Sequence, residues 1–195
     1  MTSCTGRLTA RLGGVGLFVA AISPAIALDT GFAYKLGYDS GGDTLVTAVF
    51  ANGDTSDIKA NRGLFFGGGV SIVNATKDVE TEITLSYKID DITASNGDIT
   101  WSRWPLDVLV FYRTPAVRMG GGITYHLNPD LTGSGVVSGL NVNFKDSLGL
   151  VMQVDWRVSE RLNIGVRYTA LDYELEGSST SIKSNGIGIV LSGSL

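Results

Sequence analysis

The chain has 195 residues, of which 26 are glycine and 17% are charged, and its mean hydropathy is +0.19. The formal net charge of −4 and the lack of any arginine–lysine cluster argue against a nucleic-acid partner, which would require a basic patch. Few helix-favouring runs occur, whereas alternating runs punctuated by glycine recur along the chain. This composition indicates an all-β protein.

The first 27 residues have the three-part pattern of a secretory signal peptide. Arg7 and Arg11 precede the apolar run VGLFVAAI, and the small residues of the tripeptide before position 28 supply a cleavage site after Ala27. The apolar run is too short to span a bilayer, which takes about 20 residues. We therefore predict a signal peptide over residues 1–27 and an exported domain over residues 28–195.

The predicted exported domain is acidic and has no thiol. Cleavage removes two of the 15 basic residues and none of the 19 acidic ones, which leaves a net charge of −6. Cys4 is removed as well, so the domain has no disulfide and no cysteine ligand. With His126 as the one histidine, no recognisable transition-metal site can be formed. The sequence thus predicts neither a metal nor a cofactor.

Eight segments of the domain alternate apolar and polar residues with the two-residue period of a β-strand. They cover residues 32–38, 64–73, 79–89, 104–112, 117–127, 148–158, 162–168 and 185–195. Short turns at 74–78, 114–115 and 159–161 alternate strictly with longer, polar loops at 39–63, 90–98, 128–147 and 176–183. Such alternation is typical of outer-membrane β-barrels, which have short periplasmic turns, long external loops and both termini in the periplasm.

The first long loop contains two further β-like runs, over residues 44–60, around the favoured hairpin turn Asn52-Gly53. Counting them as barrel strands would give ten strands. The run over residues 45–50 has no polar face to line a lumen, however. We therefore predict an eight-stranded antiparallel up-and-down transmembrane barrel, with a small hairpin in the first external loop.

Alternation alone leaves open which way the two faces point. A soluble barrel of the lipocalin type would place the apolar rows inside, around a ligand. In a membrane barrel the apolar rows face lipid, where a charge costs about 2–4 kcal/mol near the midplane. The segregated loop lengths favour the membrane barrel, so the charged residues of the opposite rows are predicted to form a lumen network. Its members are Lys35, Glu80, Glu82, Lys88, Arg103, Asp107, Arg113, Arg118, Asp155, Arg157 and Arg167.

Aromatic residues near the ends of the rows are predicted to form two belts at the membrane interfaces. The belt near the external loops contains Tyr38, Tyr87, Trp101, Trp104 and Tyr125. The belt near the periplasmic turns contains Phe32, Tyr112 and Trp156.

With its export signal, its eight alternating strands and the segment GGGITYHLNP at residues 120–129, the chain resembles the small outer-membrane β-barrel proteins of Gram-negative bacteria. The transmembrane domain of OmpA is one model and the OmpW-like barrels are a second. The chain departs from these families at its end, where Leu195 occupies the place of the usual terminal aromatic residue. The resemblance implies residence in the outer membrane, contact with its lipids and lipopolysaccharide, a monomeric state, and insertion by the outer-membrane assembly machinery.

Three functions follow as expectations. Eight strands leave an interior that side chains can fill, so the first is a non-enzymatic structural or surface-interaction role carried by the external loops. The second is a narrow channel for small or apolar solutes, as the OmpW-like barrels suggest. The third is a lipid-A-modifying enzyme using His126. The sequence Tyr-His-Leu-Asn lacks the arrangement of lipid A deacylases, so we expect His126 to be a hydrogen-bonded residue of the lumen rim.

Overall fold

The computed structural model describes residues 28–50 and 52–195, so the predicted signal peptide lies outside the described residues. In chain order the elements are β1 Asp29–Gly41, β2 Thr44–Val49, β3 Thr55–Lys59, β4 Gly63–Val73, β5 Val79–Ala94, β6 Gly97–Arg113, β7 Val117–Gly133, a short 3₁₀ helix Gly135–Val137, β8 Asn141–Asn143, β9 Ser147–Arg157, β10 Asn163–Ala170, β11 Asp172–Glu174, β12 Ser181–Lys183 and β13 Gly186–Ser194. Among these residues, none belongs to a helix of the length and apolarity needed to cross a membrane.

Eight of the strands form a closed antiparallel barrel in the order β1, β4, β5, β6, β7, β9, β10 and β13. The barrel closes where β13 pairs with β1, from Ala33 opposite Ser194 to Gly41 opposite Gly186. The short hairpin of β2 and β3 lies in the first long loop and does not join the barrel sheet. The predicted eight-stranded fold and its external hairpin are therefore confirmed.

Side chains alternate between the inside and the outside of the barrel along each strand. In β9, for example, Leu150, Met152 and Val154 are exposed on the outer surface, whereas Gln153 and Asp155 are buried. The outer surface is apolar over most of the barrel height and the interior is charged. This arrangement is the inverse of a soluble barrel, and it rules out the lipocalin-type orientation of the faces for this structure.

The predicted loop at residues 90–98 is wrong, because β5 and β6 continue through most of it. They run to Ala94 and from Gly97, and only Ser95 and Asn96 form the turn between them. β7 likewise continues beyond its predicted end to Gly133. The three strands therefore extend past the barrel as a ribbon, whose polar residues have the composition of a loop.

A β-bulge in β7 changes which residues of the external end of this strand point toward the barrel interior. Ser102 pairs with Asp130 and Trp104 with Leu127, so β7 has one extra residue opposite Arg103. Asn128 has a φ of +46°, a left-handed conformation that asparagine adopts more easily than most residues. As a result Leu131, which simple alternation from His126 would place outside, is buried.

The long loops together form one layer over the end of the barrel, which we call the external cap (residues 42–50, 52–62, 90–98, 128–146 and 171–185). Backbone hydrogen bonds join its parts: Asp43 N–H donates to the carbonyl of Lys183, and Ser134 N–H to that of Asp98. A bridge between Phe144 and Leu175 joins the third and fourth loops. The cap has its own apolar core, built from Ile58, Ala60, Ile92, Ile99, Trp101, Leu131, Phe144, Leu171 and Tyr173.

Candidate functional site

The periplasmic half of the lumen is filled by a cluster of charges around Arg118. Its guanidinium lies 2.5 Å from a carboxylate oxygen of Glu82, 2.7 Å from one of Asp155 and 3.1 Å from one of Glu80. The same group donates to the hydroxyl of Ser192 at 2.8 Å. Because the guanidinium presents five N–H donors in a fixed fork, one arginine can link three carboxylates, from β5 and β9, at once.

A second cluster fills the external half of the lumen. Lys35 forms a buried ion pair with Asp107, and Arg167 lies 3.4 Å from the same carboxylate. Lys88 lies 2.5 Å from Asp39 and donates to the side-chain oxygen of Asn61 at 3.0 Å. Buried charges are tolerated when they are paired and hydrogen-bonded in this way.

Glycines on the inner face make room for these carboxylates. A β-carbon added at residue 188 would lie 1.8 Å from Oδ1 of Asp39, and one at residue 165 would lie 1.8 Å from Oδ1 of Asp155. Any side chain at these two positions would displace the carboxylate. Glycine at these two positions is therefore explained by close packing against the buried acids.

Apolar side chains complete the filling of the lumen. Leu109, Phe111 and Val151 pack together, and the guanidinium of Arg118 lies 4.2 Å from the centre of the Phe111 ring. The cavity of about 10 Å³ in the external half, bordered by Lys88 and His126 among others, has room for about one water molecule. At these levels the lumen is occupied by side chains rather than by an open path.

An aromatic group closes the lumen beneath the cap. The ring of Trp101 packs edge-on against Tyr173 at 5.3 Å and against Phe144 at 5.2 Å between centroids. His126 is buried and its Nδ1 is hydrogen-bonded to the Tyr173 hydroxyl. Burial raises the pKa of Tyr173 to about 12, with the Arg103 guanidinium opposing that shift, so the phenol is neutral at physiological pH. The group contacts both the cap core and the lumen charges.

Trp101 also anchors the cap directly, since its indole N–H donates to the carbonyl of Ala60 at 3.0 Å. Replacing Trp101 by phenylalanine is expected to destabilise the cap by about 1–2 kcal/mol, because the buried carbonyl loses its partner. Hydrogen–deuterium exchange of the first-loop hairpin should become faster. The same change at Trp104, which faces outward, is the control and should leave the exchange of the hairpin unchanged. Equal exchange rates in the two variants would contradict the anchoring role.

Most of the predicted lumen residues face the interior. Nine of them are buried, namely Lys35, Glu80, Glu82, Lys88, Arg103, Asp107, Arg118, Asp155 and Arg167. Arg113 lies at the periplasmic edge of the first cluster, 3.2 Å from Glu80. Arg157 is half-buried and instead donates to the carbonyl of Thr114 in a periplasmic turn, at 3.0 Å. Among the described residues, no group of three or more His, Cys, Asp or Glu side chains could hold a metal ion.

The predicted belt residues lie on the outer surface, with one exception. Phe32, Tyr112 and Trp156 are exposed at the periplasmic end, and Tyr38, Trp104 and Tyr125 at the external end, with Tyr87 half-buried against Trp104. The prediction for Trp101 is wrong, because its side chain is 0% exposed and lies in the cap core. Trp101 lies two residues before Arg103 on β6, so the alternation of that strand already placed it inside.

Sequence reasoning missed three residues of the site. Asp39 was assigned to the first loop, although it follows Lys35 by four residues and so lies on the same inner face of β1. Asn61 and Tyr173 belong to loop segments without a clear period, and their contacts with Lys88 and His126 arise only when the loops fold over the barrel. The period-two pattern could have found the first residue and not the other two.

Three features show the type of barrel: the apolar outer face and charged inner face, the closure of the sheet between β13 and β1, and the lengths of the loops. Its apolar exterior with aromatic residues at both ends matches the lipid-exposed band of outer-membrane barrels, and its paired interior charges match their lumens. The chain therefore has the fold of a small eight-stranded transmembrane barrel of the outer-membrane type.

No family model matches the chain, and no curated protein sequence matches it. Among solved structures, it is similar to Neisserial surface protein A, with 11% identity, 86% of this chain and 99% of that chain covered, and a TM-score of 0.46. It is also similar to Ail, the attachment invasion locus protein of Yersinia pestis, in complex with the heparin analogue sucrose octasulfate, with 10% identity, 87% and 96% covered, and a TM-score of 0.46. It is similar as well to the outer membrane protein OprG from Pseudomonas aeruginosa, with 14% identity, 87% of this chain and 93% of that chain covered, and a TM-score of 0.38.

Proposed function

We propose that the protein is a non-conducting, non-enzymatic surface-interaction protein of the outer membrane, whose external cap binds a partner outside the cell. The observation that carries this proposal is the cap itself. Its four loops share one apolar core and hydrogen-bond to one another, so they present an ordered surface at a fixed place. Binding residues are commonly carried on loops that a rigid scaffold holds in position.

The surroundings of His126 support a structural role for this residue. Its side chain is 1% exposed and is hydrogen-bonded to Tyr173 beneath the cap. A lipid in the surrounding membrane would have to pass the barrel wall to reach it. The proposal accordingly gives His126 no part in lipid modification, and it takes the protein to be a monomer that contacts lipopolysaccharide through its outer surface.

The packing of the lumen supports the non-conducting part of the proposal. In planar bilayers the purified protein is expected to give no stable single-channel steps, because ion pairs fill both halves of the lumen. Conductance is measured at low and high salt, with a porin added to the same bilayer as the positive control. Reproducible steps of uniform size would favour the channel alternative instead.

The binding part of the proposal is tested with the protein embedded in nanodiscs of zwitterionic lipid. These are applied to arrays of soluble proteins and polysaccharides, beside a variant whose residues 44–59 are replaced by a glycine–serine linker. We expect binding that the variant loses while it keeps the heat-modifiable gel mobility of a folded barrel. If the two proteins bind the same array members equally, the cap is not the binding surface.

A further inference from the structure

The external cap contains an open cleft with apolar walls. Its volume is about 1010 Å³, and it lies between the β2–β3 hairpin, the tip of the β5–β6 ribbon and the 3₁₀ helix of the third loop. Its lining includes Val46, Ala48, Ile92, Ile99, Val137 and Leu140. The volume is at the upper end of the range typical of ligand-binding clefts.

The walls of the cleft are held in place by the cap core. Ile92 and Ile99 are buried and belong to that core, and Val46 and Leu140 pack against it. Apolar side chains also continue onto the open surface, where Val49 is 73% and Val136 is 72% exposed. Clustered apolar surface of this kind on an ordered scaffold is characteristic of interaction sites rather than of freely solvated loops.

Four carboxylates border the apolar walls. Asp54 accepts a hydrogen bond from the lining residue Asn52 at 2.7 Å. Asp57 accepts one from Thr47 at 2.7 Å and Asp91 one from Thr93 at 3.3 Å, and both donors line the cleft. Asp98 accepts one from Ser134 at 3.3 Å, directly before the 3₁₀ helix. We call these four residues, Asp54, Asp57, Asp91 and Asp98, the acidic rim.

Within residues 28–50 and 52–195, no basic side chain forms an ion pair with the four carboxylates of the acidic rim, although Arg62 donates to the backbone carbonyl of Asp57. The whole cap carries 11 acidic and four basic residues, a net charge of −7. A field of one sign around a cleft attracts ligands of the opposite charge and repels those of its own.

We propose that the cleft binds a polypeptide segment that is both basic and apolar, with its apolar side chains in the cleft and its lysines or arginines against the acidic rim. The proposal rests on the proposed surface-interaction role and names the chemistry of the partner. A polyanion is disfavoured by the charge of the cap. A neutral acyl chain would fill the apolar walls but would leave the four carboxylates without a counter-charge.

The probe for this proposal is a short fluorescent peptide that alternates lysine and valine, added to the protein in nanodiscs of zwitterionic lipid. We expect saturable binding by fluorescence anisotropy. A lysine–serine peptide should bind roughly tenfold more weakly, since apolar burial is lost, and a glutamate–valine peptide should not bind. Binding should weaken strongly as the ionic strength approaches about 1 M, where the Debye length is about 3 Å.

Two variants of equal charge change locate the site. The rim variant carries Asp54→Asn, Asp57→Asn, Asp91→Asn and Asp98→Asn. The matched control neutralises four acids elsewhere in the cap, at Asp146, Asp172, Glu174 and Glu176. The rim variant is expected to bind the lysine–valine peptide roughly tenfold more weakly, and the control less than about twofold, because screening confines the effect to nearby charges.

Three outcomes would overturn the proposal. The rim variant and the control could lose peptide affinity equally, or the lysine–serine and lysine–valine peptides could bind with equal affinity. In the third outcome, a fluorescent lipid-chain probe binds the protein and neither peptide does. Each of these results leaves the proposed surface-interaction role standing if the array experiment still shows cap-dependent binding. If the array experiment fails but the peptide binds at the acidic rim, the cleft proposal stands and the array result contradicts the proposed surface-interaction role.

Discussion

Replacing Arg118 by methionine is expected to lower the free energy of unfolding by about 3–5 kcal/mol, the range for breaking a buried ion pair from one side. The change leaves Glu80, Glu82 and Asp155 facing one another in the lumen without the cation that links them. Methionine keeps much of the side-chain volume, so the loss reports mainly on charge. Urea unfolding in lipid vesicles, followed by tryptophan fluorescence, measures the difference.

The matched control for Arg118 is Lys145→Met. Lys145 pairs with Glu174 at 2.8 Å in the external cap, but the two side chains are 52% and 55% exposed. Exposed ion pairs contribute about 0–1 kcal/mol, so this variant should unfold nearly as the unmodified protein does. Similar losses in the two variants would show that the Arg118 cluster is solvated, and the description of a filled lumen would fail.

Replacing Ile83 by arginine is expected to destabilise the inserted barrel by about 2–4 kcal/mol. Ile83 lies near the middle of the barrel part of β5 and faces outward, between the outward-facing Val70 and Val108 of the neighbouring strands. In a bilayer the new guanidinium would lie at the hydrocarbon level, where water cannot solvate it. Refolding yield and urea unfolding in vesicles give the size of the effect.

Val49→Arg is the control for that substitution, because Val49 is exposed in the external cap and has water around it. A surface change of this kind usually alters stability by less than about 0.5 kcal/mol. If Ile83→Arg were equally harmless, and the protein fractionated with soluble periplasmic proteins, the outward row would face water and the membrane assignment would be wrong.

The barrel could be predicted from the sequence because its information is local. Along β5 the residues from Val79 to Ile89 alternate almost without fault, and each inner residue of that stretch is buried as the period requires. Most of the charges that alternation places inside also have partners of opposite sign, across the lumen or on an adjacent strand, so the pattern and the pairing agree. Among the predicted belt residues only Trp101 is buried, because the alternation of β6 continues past the predicted start of that strand.

The cap could not be predicted in the same way because its core has no period. Ile58, Ile92 and Leu131 come from three separate loops, and each stands among polar residues that indicate loop structure. The facing of Leu131 depends on the bulge at Asn128, which alternation cannot anticipate. The cap is therefore specified by contacts between distant segments, which become visible only in the folded chain.

The interlocked loops of the cap have a consequence for recognition by antibodies. Asp43 is joined to Lys183, and Phe144 to Leu175, so neighbouring patches of the outer surface come from segments far apart in the chain. Epitopes on the native protein should then be discontinuous, and antisera raised against isolated loop peptides should recognise denatured chains better than intact cells. The molecule would present one composite antigenic surface in place of four independent ones.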